Sequence, residues 1–150
     1  MATYSFLDFN FAISGPGGAF PLGSGSGAAE EGVTIEPVED KNIMQIGADG
    51  SGQHSLVAST ASTVTVRLLK TSPVNALLMG LYNYQTSSSI LHGRNTMVGT
   101  DLGRGDVVTL TQVAFKRVPS LTYAKEAGIN EWTFDAIQTT TILGVGTPEI

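Results

Sequence analysis

The chain has 150 residues and no cysteine, a length that suits one domain with its own buried core and leaves no disulfide framework, thiolate metal site or cysteine nucleophile. Charged residues are only 14% of the chain and sum to 8 − 13 = −5, with the basic residues scattered, which argues against a nucleic-acid binder that grips phosphates. So little charge beside 41% hydrophobic residues points to a surface partly covered by partners, the alternative being a solvated surface rich in Ser and Thr.

Met1 to Asn10 carries no basic segment, and no apolar run is long enough to span a bilayer, so the chain reads as soluble, with no export signal and no membrane anchor. Tyr4 to Ile13 alternates, with Leu7, Phe9, Phe11 and Ile13 on one face, which predicts a half-buried strand. The next stretch, Ser14 to Gly27, is dense in glycine and holds two prolines. It excludes a helix or a central strand and predicts a long loop, extending to about residue 32. Val33–Val38 and Ile43–Ala48 are short strand candidates, with Glu39-Asp40-Lys41-Asn42 between them as a four-residue hairpin turn. Ala48–Gly52 reads as a further turn, and Thr63–Lys70 as a strand with Val64, Val66 and Leu68 on one face.

One segment is helical. Ser72 is a suitable N-cap and Pro73 suits the first helical position. Val74, Leu77, Leu78, Leu81 and Tyr82 then form a single apolar stripe, and Thr86–Ser89 ends it. Strands return at Val107–Val118, where Val108 and Leu110 share a face but Val113 and Phe115 fall on the other. That slip near Thr111-Gln112 predicts a β-bulge or a bend between layers. In Ile129–Leu143, Trp132, Phe134 and Ala136 oppose Glu131, Thr133 and Asp135, and Ile137 again breaks the phase. The sum, about seven or eight strands and one helix, predicts a mainly β fold, a β-sandwich or barrel with one flanking helix.

Chemistry is hard to find in these residues. Gly25-Ser26-Gly27-Ala28 lacks the lysine that a phosphate-binding loop needs, and no dinucleotide fingerprint follows. His54 and His92 have no partner at metal-ligand spacing, and no Gly-x-Ser-x-Gly elbow exists. Asp49-Gly50-Ser51-Gly52 lacks the repeated acids of a calcium loop and reads as a tight turn. Glu131 and Asp135 stand ~13 Å apart along one strand, too far for a catalytic carboxylate pair. The expectation is a protein without catalysis, cofactor or metal. Its long strands carry edges that something must pair.

Several stretches resemble the tail tube proteins of contractile-tailed bacteriophages. They are Tyr4-Ser5-Phe6-Leu7-Asp8, Ser14-Gly15-Pro16-Gly17-Gly18, Glu31-Gly32-Val33-Thr34-Ile35-Glu36, Ile46-Gly47-Ala48-Asp49-Gly50, Leu68 through Ala76, Glu131-Trp132-Thr133-Phe134 and Leu143-Gly144. The resemblance implies hexameric rings of this chain stacked into a hollow tube, with strands from all subunits closing a ring-wide inner barrel. It implies a tail sheath outside, tape measure and baseplate or terminator proteins as further partners, and DNA as passing cargo. The location it implies is the virion tail, assembled in the host cytoplasm. Acids facing the lumen would repel phosphates, and Glu36, Glu39, Asp40, Glu131 and Asp135 are the candidates. The candidate inter-subunit contact is the glycine loop with Gly15, Pro16, Gly17, Gly18, Phe20, Pro21 and Gly25; deleting Pro16 to Ser26 is expected to stop polymerisation. The helix, with Ser72, Pro73, Leu77, Leu78 and Leu81, is expected to flank the sheet. Competing readings are a capsid decoration or baseplate β-domain, or a carbohydrate-binding module. The last is opposed by Trp132 and Phe134, which alternate as core residues do.

Overall fold

The computed structural model describes residues 4–5, 8–22 and 28–145. Alternation builds the centre of the molecule. In strand β6 (Ser62–Leu69) Ser62, Val64, Val66 and Leu68 are buried while Thr63, Thr65 and Arg67 face outward. It pairs antiparallel with the long β9 (Ile129–Ile142), which sets Val66 opposite Trp132 and Val64 opposite Phe134. The other strands of this sheet are β1 (Phe9–Gly15), β2 (Gly18–Pro21), β3 (Ala28–Pro37), β7 (Asn95–Asp101) and β8 (Asp106–Arg117). Their spatial order is β2-β1-β7-β8-β9-β6-β3, all antiparallel. The mainly β fold is therefore realised as one continuous ladder, whose end strands β2 and β3 are not bonded to each other within the chain.

The phase slips have a structural cause. Asn95 pairs with Val113 and Met97 with Leu110, so β8 carries one extra residue against β7, and Gln112 takes φ +55°. A left-handed conformation costs a residue with a Cβ about 1–2 kcal/mol; here it lets Leu110 and Val113 both turn inward. β9 changes face at the same level. Ala136 is buried, Ile137 and Gln138 are exposed, and Thr139 then sits half-buried opposite Leu110.

Helix α1 (Val74–Gln85) lies over the core on Val74, Leu78, Leu81 and Gln85. Leu77, expected in the stripe, is exposed instead, because the buried spacing is i, i+4, i+7, i+11. Pro73 occupies the cap position rather than the first helical one; the Ser72 hydroxyl accepts from the Val74 amide at 3.3 Å. Asn75 ties the helix start to the sheet. Its amide donates to the Leu69 carbonyl at 2.9 Å, and its Oδ1 accepts from the Trp132 indole at 3.0 Å. Tyr82 and Trp132 meet the Phe115 ring edge-on, with centroids 5.6 and 6.1 Å away.

Three regions depart from the sequence reading. The glycine stretch is not one long loop. Ser14 and Gly15 finish β1, Pro16-Gly17 turns, and β2 pairs back onto β1. Pro21 is tolerated because β2 is an edge strand, and Leu22 behind it is fully buried. β7 carries little alternation in its sequence Asn-Thr-Met-Val-Gly-Thr-Asp, yet it lies inside the sheet. Gly99 is needed there: a Cβ would stand 2.9 Å from the rings of both Phe9 and Phe11. Finally, Val33–Val38 and Ile43–Ala48 do not form a hairpin with each other. β3 belongs to the large sheet, whereas β4 (Asn42–Ile46) pairs with β5 (Gly52–Leu56) in a separate two-stranded sheet around the turn at Gly47–Ser51.

Candidate assembly interface

Two surfaces stand out: the outward face of β3, β6 and β9, and the β4–β5 hairpin. On the first, cross-strand pairing aligns Glu36 with Thr63 and Asp135, Thr34 with Thr65 and Thr133, and Arg67 with Glu131. Arg67 bridges three strands, with Nε 3.6 Å from Glu131 and Nη1 donating to the Thr34 hydroxyl at 2.9 Å. The face is thus a lawn of threonines carrying three acids. Only Glu131 of the three has a cation beside it among the described residues. Surface pairs of this kind add at most about 1 kcal/mol.

The candidate acids separate into two groups. Glu36, Glu131 and Asp135 share that face; Glu39 and Asp40 do not, because β3 ends at Pro37 and both lie exposed at the root of the hairpin. There Lys41 reaches back to the Ser59 carbonyl at 3.3 Å and the Val57 amide donates to the Lys41 carbonyl at 2.9 Å, which closes the root.

The hairpin itself is uncovered. Every residue from 36 to 56 is exposed. Pairing sets Met44 opposite His54, Asn42 opposite Leu56 and Ile46 opposite Gly52, so Met44, Ile46 and Leu56 share one face while Ile43 with Gln45, Gln53 and Ser55 occupy the other. Met44 and Ile46 are both 61% exposed and Leu56 is 83% exposed. A two-stranded ribbon with a bare apolar face is marginal in water unless it packs on something. Its tip is well made. The Asp49 carboxylate accepts from the Ser51 hydroxyl at 2.6 Å and the Ser51 amide at 3.0 Å, and Gly50 takes φ +89°. Those bonds hold the Asp49 carboxyl below its ordinary value, the hydroxyl contributing most. The Asp-Gly-Ser-Gly segment is the tight turn its sequence suggested.

The glycine-loop candidates are placed differently from a free loop. The Pro16 carbonyl accepts from Gln85 Nε2 at 2.9 Å, and Gly17, at φ +102°, lies so close to Tyr84 that a Cβ would stand 2.8 Å from its ring. Gln85 and Asn95 exchange two amide hydrogen bonds, each 2.7 Å, in full burial, and a Cβ on Gly15 would collide with Asn95. Pro16 and Gly17 are therefore fastened to their own helix, and Gly15 lies tight against Asn95 of β7. Gly18 and Pro21 are exposed on the edge strand, Phe20 packs partly against the core, and Gly25 lies outside the described residues. Deleting Pro16 to Ser26 removes the fully buried Leu22 and the β2 edge, so it tests the core as much as an interface. Neither the Gln85–Asn95 pair nor the Asn75 bracket was visible from patterning, since polar residues inside an apolar stripe give no periodic signal.

Among the described residues no cluster of three His, Asp or Glu could hold a metal, and Asn42 Nδ2 lies 3.1 Å from His54 Nδ1 within the hairpin. No described helix is long and apolar enough to cross a membrane.

Fold and surface together define an edge-exposed β-subunit with one flanking helix among the described residues. The chain resembles the chain in a sheath-tube complex of an extracellular contractile injection system (PVC) in its extended state, at TM-score 0.55 and 13% identity, over 89% of this chain and 88% of that one. It is similar to the tube-terminating cap of the anti-feeding prophage, at TM-score 0.54 and 12% identity, over 96% and 95%. It is also similar to the PVC sheath/tube terminator, at TM-score 0.52 and 14% identity, over 88% and 92%. Among curated proteins, none matches the sequence. The chain belongs to the Bacteriophage PhiTE tail tube protein family, whose description covers residues 1–144. It is a structural subunit of a phage tail tube and a component of the virion tail.

Proposed function

We propose that this tail tube subunit forms hexameric rings that stack into a hollow conduit for DNA, inside a contractile sheath. The observation that carries the reading is the seven-stranded ladder whose end strands β2 and β3 have no partner strand on their outer edges among the described residues, beside an exposed hairpin. Open edges and bare apolar ribbons call for a partner, and a head-to-tail contact between copies closes a ring by rotation. Fusion of the subunits' sheets would give the ring-wide inner barrel. Sheath, tape measure and baseplate or terminator proteins complete the proposed partners. Assembly takes place in the host cytoplasm, and no catalysis or cofactor enters the role.

The threonine face of β3, β6 and β9 is the proposed lumen lining. Hydroxyls and acids present nothing that grips a phosphate, and Arg67 is held by Glu131 and Thr34. Glu39 and Asp40, at the hairpin root, are assigned to contacts between subunits instead. Negative-stain microscopy of the purified chain tests the assembly: rings or hollow tubes are expected, and monomers at high concentration overturn it. For the lining, Glu131→Lys with Asp135→Lys should leave tubes intact and slow DNA ejection; ejection at the normal rate from such tubes sinks the assignment.

A further inference from the structure

Strand β9 is longer than its neighbour on one side. β6 leaves it at the Ser62–Ala136 pair, whereas β8 accompanies it to the Val107–Ile142 pair. From Ile137 to Ile142 the other edge of β9 therefore has no strand against it among the described residues. That edge reads Ile-Gln-Thr-Thr-Thr-Ile, without the lysine, proline or charge that normally protects an open edge. Beside it opens a cleft of about 620 Å³ lined by Ile35, Pro37, Val108, Thr139 and Thr141 and, at the hairpin root, by polar and charged residues that include Glu39. Ile35 and Val108 are themselves part of the core packing, so the cleft is the point where the core is left open. The Thr139 hydroxyl is buried there without a hydrogen-bond partner, an uncommon state for a polar atom.

We infer that the Ile137–Ile142 edge and its cleft receive the β4–β5 hairpin of a second copy of this chain. The inference rests on the tube-subunit reading and adds where the subunits meet. The hairpin fits by length, with two five-residue strands against that edge. It fits by chemistry: Met44, Ile46 and Leu56 supply an apolar face for a cleft whose surface is mostly apolar despite its charged root, and neither strand carries Lys, Arg, Asp or Glu. Among the described residues each hairpin strand keeps one unpaired edge, so it can add to β9 by main-chain hydrogen bonds while alternate side chains fill the cleft. The chain's own hairpin does not do this. Only its root, with Lys41, Ser59 and Thr60, lines the cleft, whereas residues 42–56 are all exposed and none of them lines it, so the hairpin leaves the cleft rather than entering it.

The absence of native cysteine makes the test direct. Met44→Cys and Thr139→Cys are combined in one chain, assembled, and oxidised mildly before non-reducing electrophoresis. The expected result is a ladder of covalent multimers from the double variant, monomer from either single variant, and dimer from an equal mixture of the two singles. A second pair, Ile46→Cys with Thr141→Cys, should repeat the pattern if the first disturbs folding. Normal tubes under the microscope with no ladder from either pair overturn the docking and leave the tube reading standing. A disulfide closed within one chain also overturns it, because the hairpin would then be occupying its own cleft. If the unmodified chain yields neither rings nor tubes, the tube reading fails and the docking with it.

Discussion

Strand β6 and the β4–β5 hairpin use similar residues to opposite ends. Val64, Val66 and Leu68 are wholly buried, while Ile43, Met44, Ile46 and Leu56 are each more than half exposed. The difference lies in what stands opposite. β6 sits between β9 and β3, beneath a core that holds Trp132 and Phe134; among the described residues the hairpin strands pair only with each other. Apolar side chains mark surface destined to leave water, but they do not say whether the cover comes from the same chain or from another. In a tube subunit both kinds of surface must coexist, one making the monomer fold and the other making the monomer assemble.

The comparison breaks first at Trp132. Its side chain is 1% exposed, bonds Asn75 and meets Phe115 edge-on. Trp132→Ala should cost about 3–5 kcal/mol, near the whole stability of many domains. Urea denaturation followed by circular dichroism should show the midpoint collapsing. A matching change in the hairpin, Met44→Ala, should stay within about 0.5 kcal/mol, as exposed substitutions do. Equal losses at both sites would mean that the hairpin packs on the body even in the monomer.

A middle-sized effect is expected at the buried amide pair. Gln85→Ala leaves Asn95 without its partner and frees the Pro16 carbonyl, for about 1–3 kcal/mol. Asn95→Ala should cost a similar amount. The double variant should cost clearly less than the sum, since each single change already orphans the other amide. Strict additivity in denaturation would show that the two side chains contribute through packing alone.

How much could be foreseen follows the same division. β6, the first half of β9 and the helix were legible because one face meets a core and the other meets water. The slip at Thr111-Gln112 was legible as a defect in that alternation, and it is the bulge. β7 was not, because Gly99 and Asn95 are chosen for close approach and for a buried amide bond rather than for apolarity. β2 was hidden by glycine and proline, which an edge strand tolerates and a central one does not. The hairpin was misassigned for a further reason. Glu39-Asp40-Lys41-Asn42 is as turn-like as the Asp-Gly segment after it, and only tertiary pairing sends β3 to β6 and β4 to β5. The acids of β9 were placed on an outward face by period two alone, whereas the restraint of Arg67 by Glu131 and Thr34 needed three strands in register.

The smallest effect concerns the hairpin tip and is a matter of pH. In the folded chain Asp49 accepts two bonds from Ser51, which place its carboxyl below the ordinary value of 3.8. A depressed folded value means that ionised Asp49 favours the closed turn at every pH above the unfolded value. That contribution is lost as acid brings the pH down through the folded one. As the pH is brought through and below that ordinary value, the Ser51 and Gly52 amide resonances should therefore move and broaden, while those of Val64 and Val66 hold still. Asp49→Asn should abolish the titration and leave the body's urea midpoint unchanged. Resonances of the hairpin and β6 shifting together would instead tie the tip to the core and end the separation drawn between them. Because Asp49 is fully exposed and screened by solvent, the expected change is local, confined to the hairpin turn.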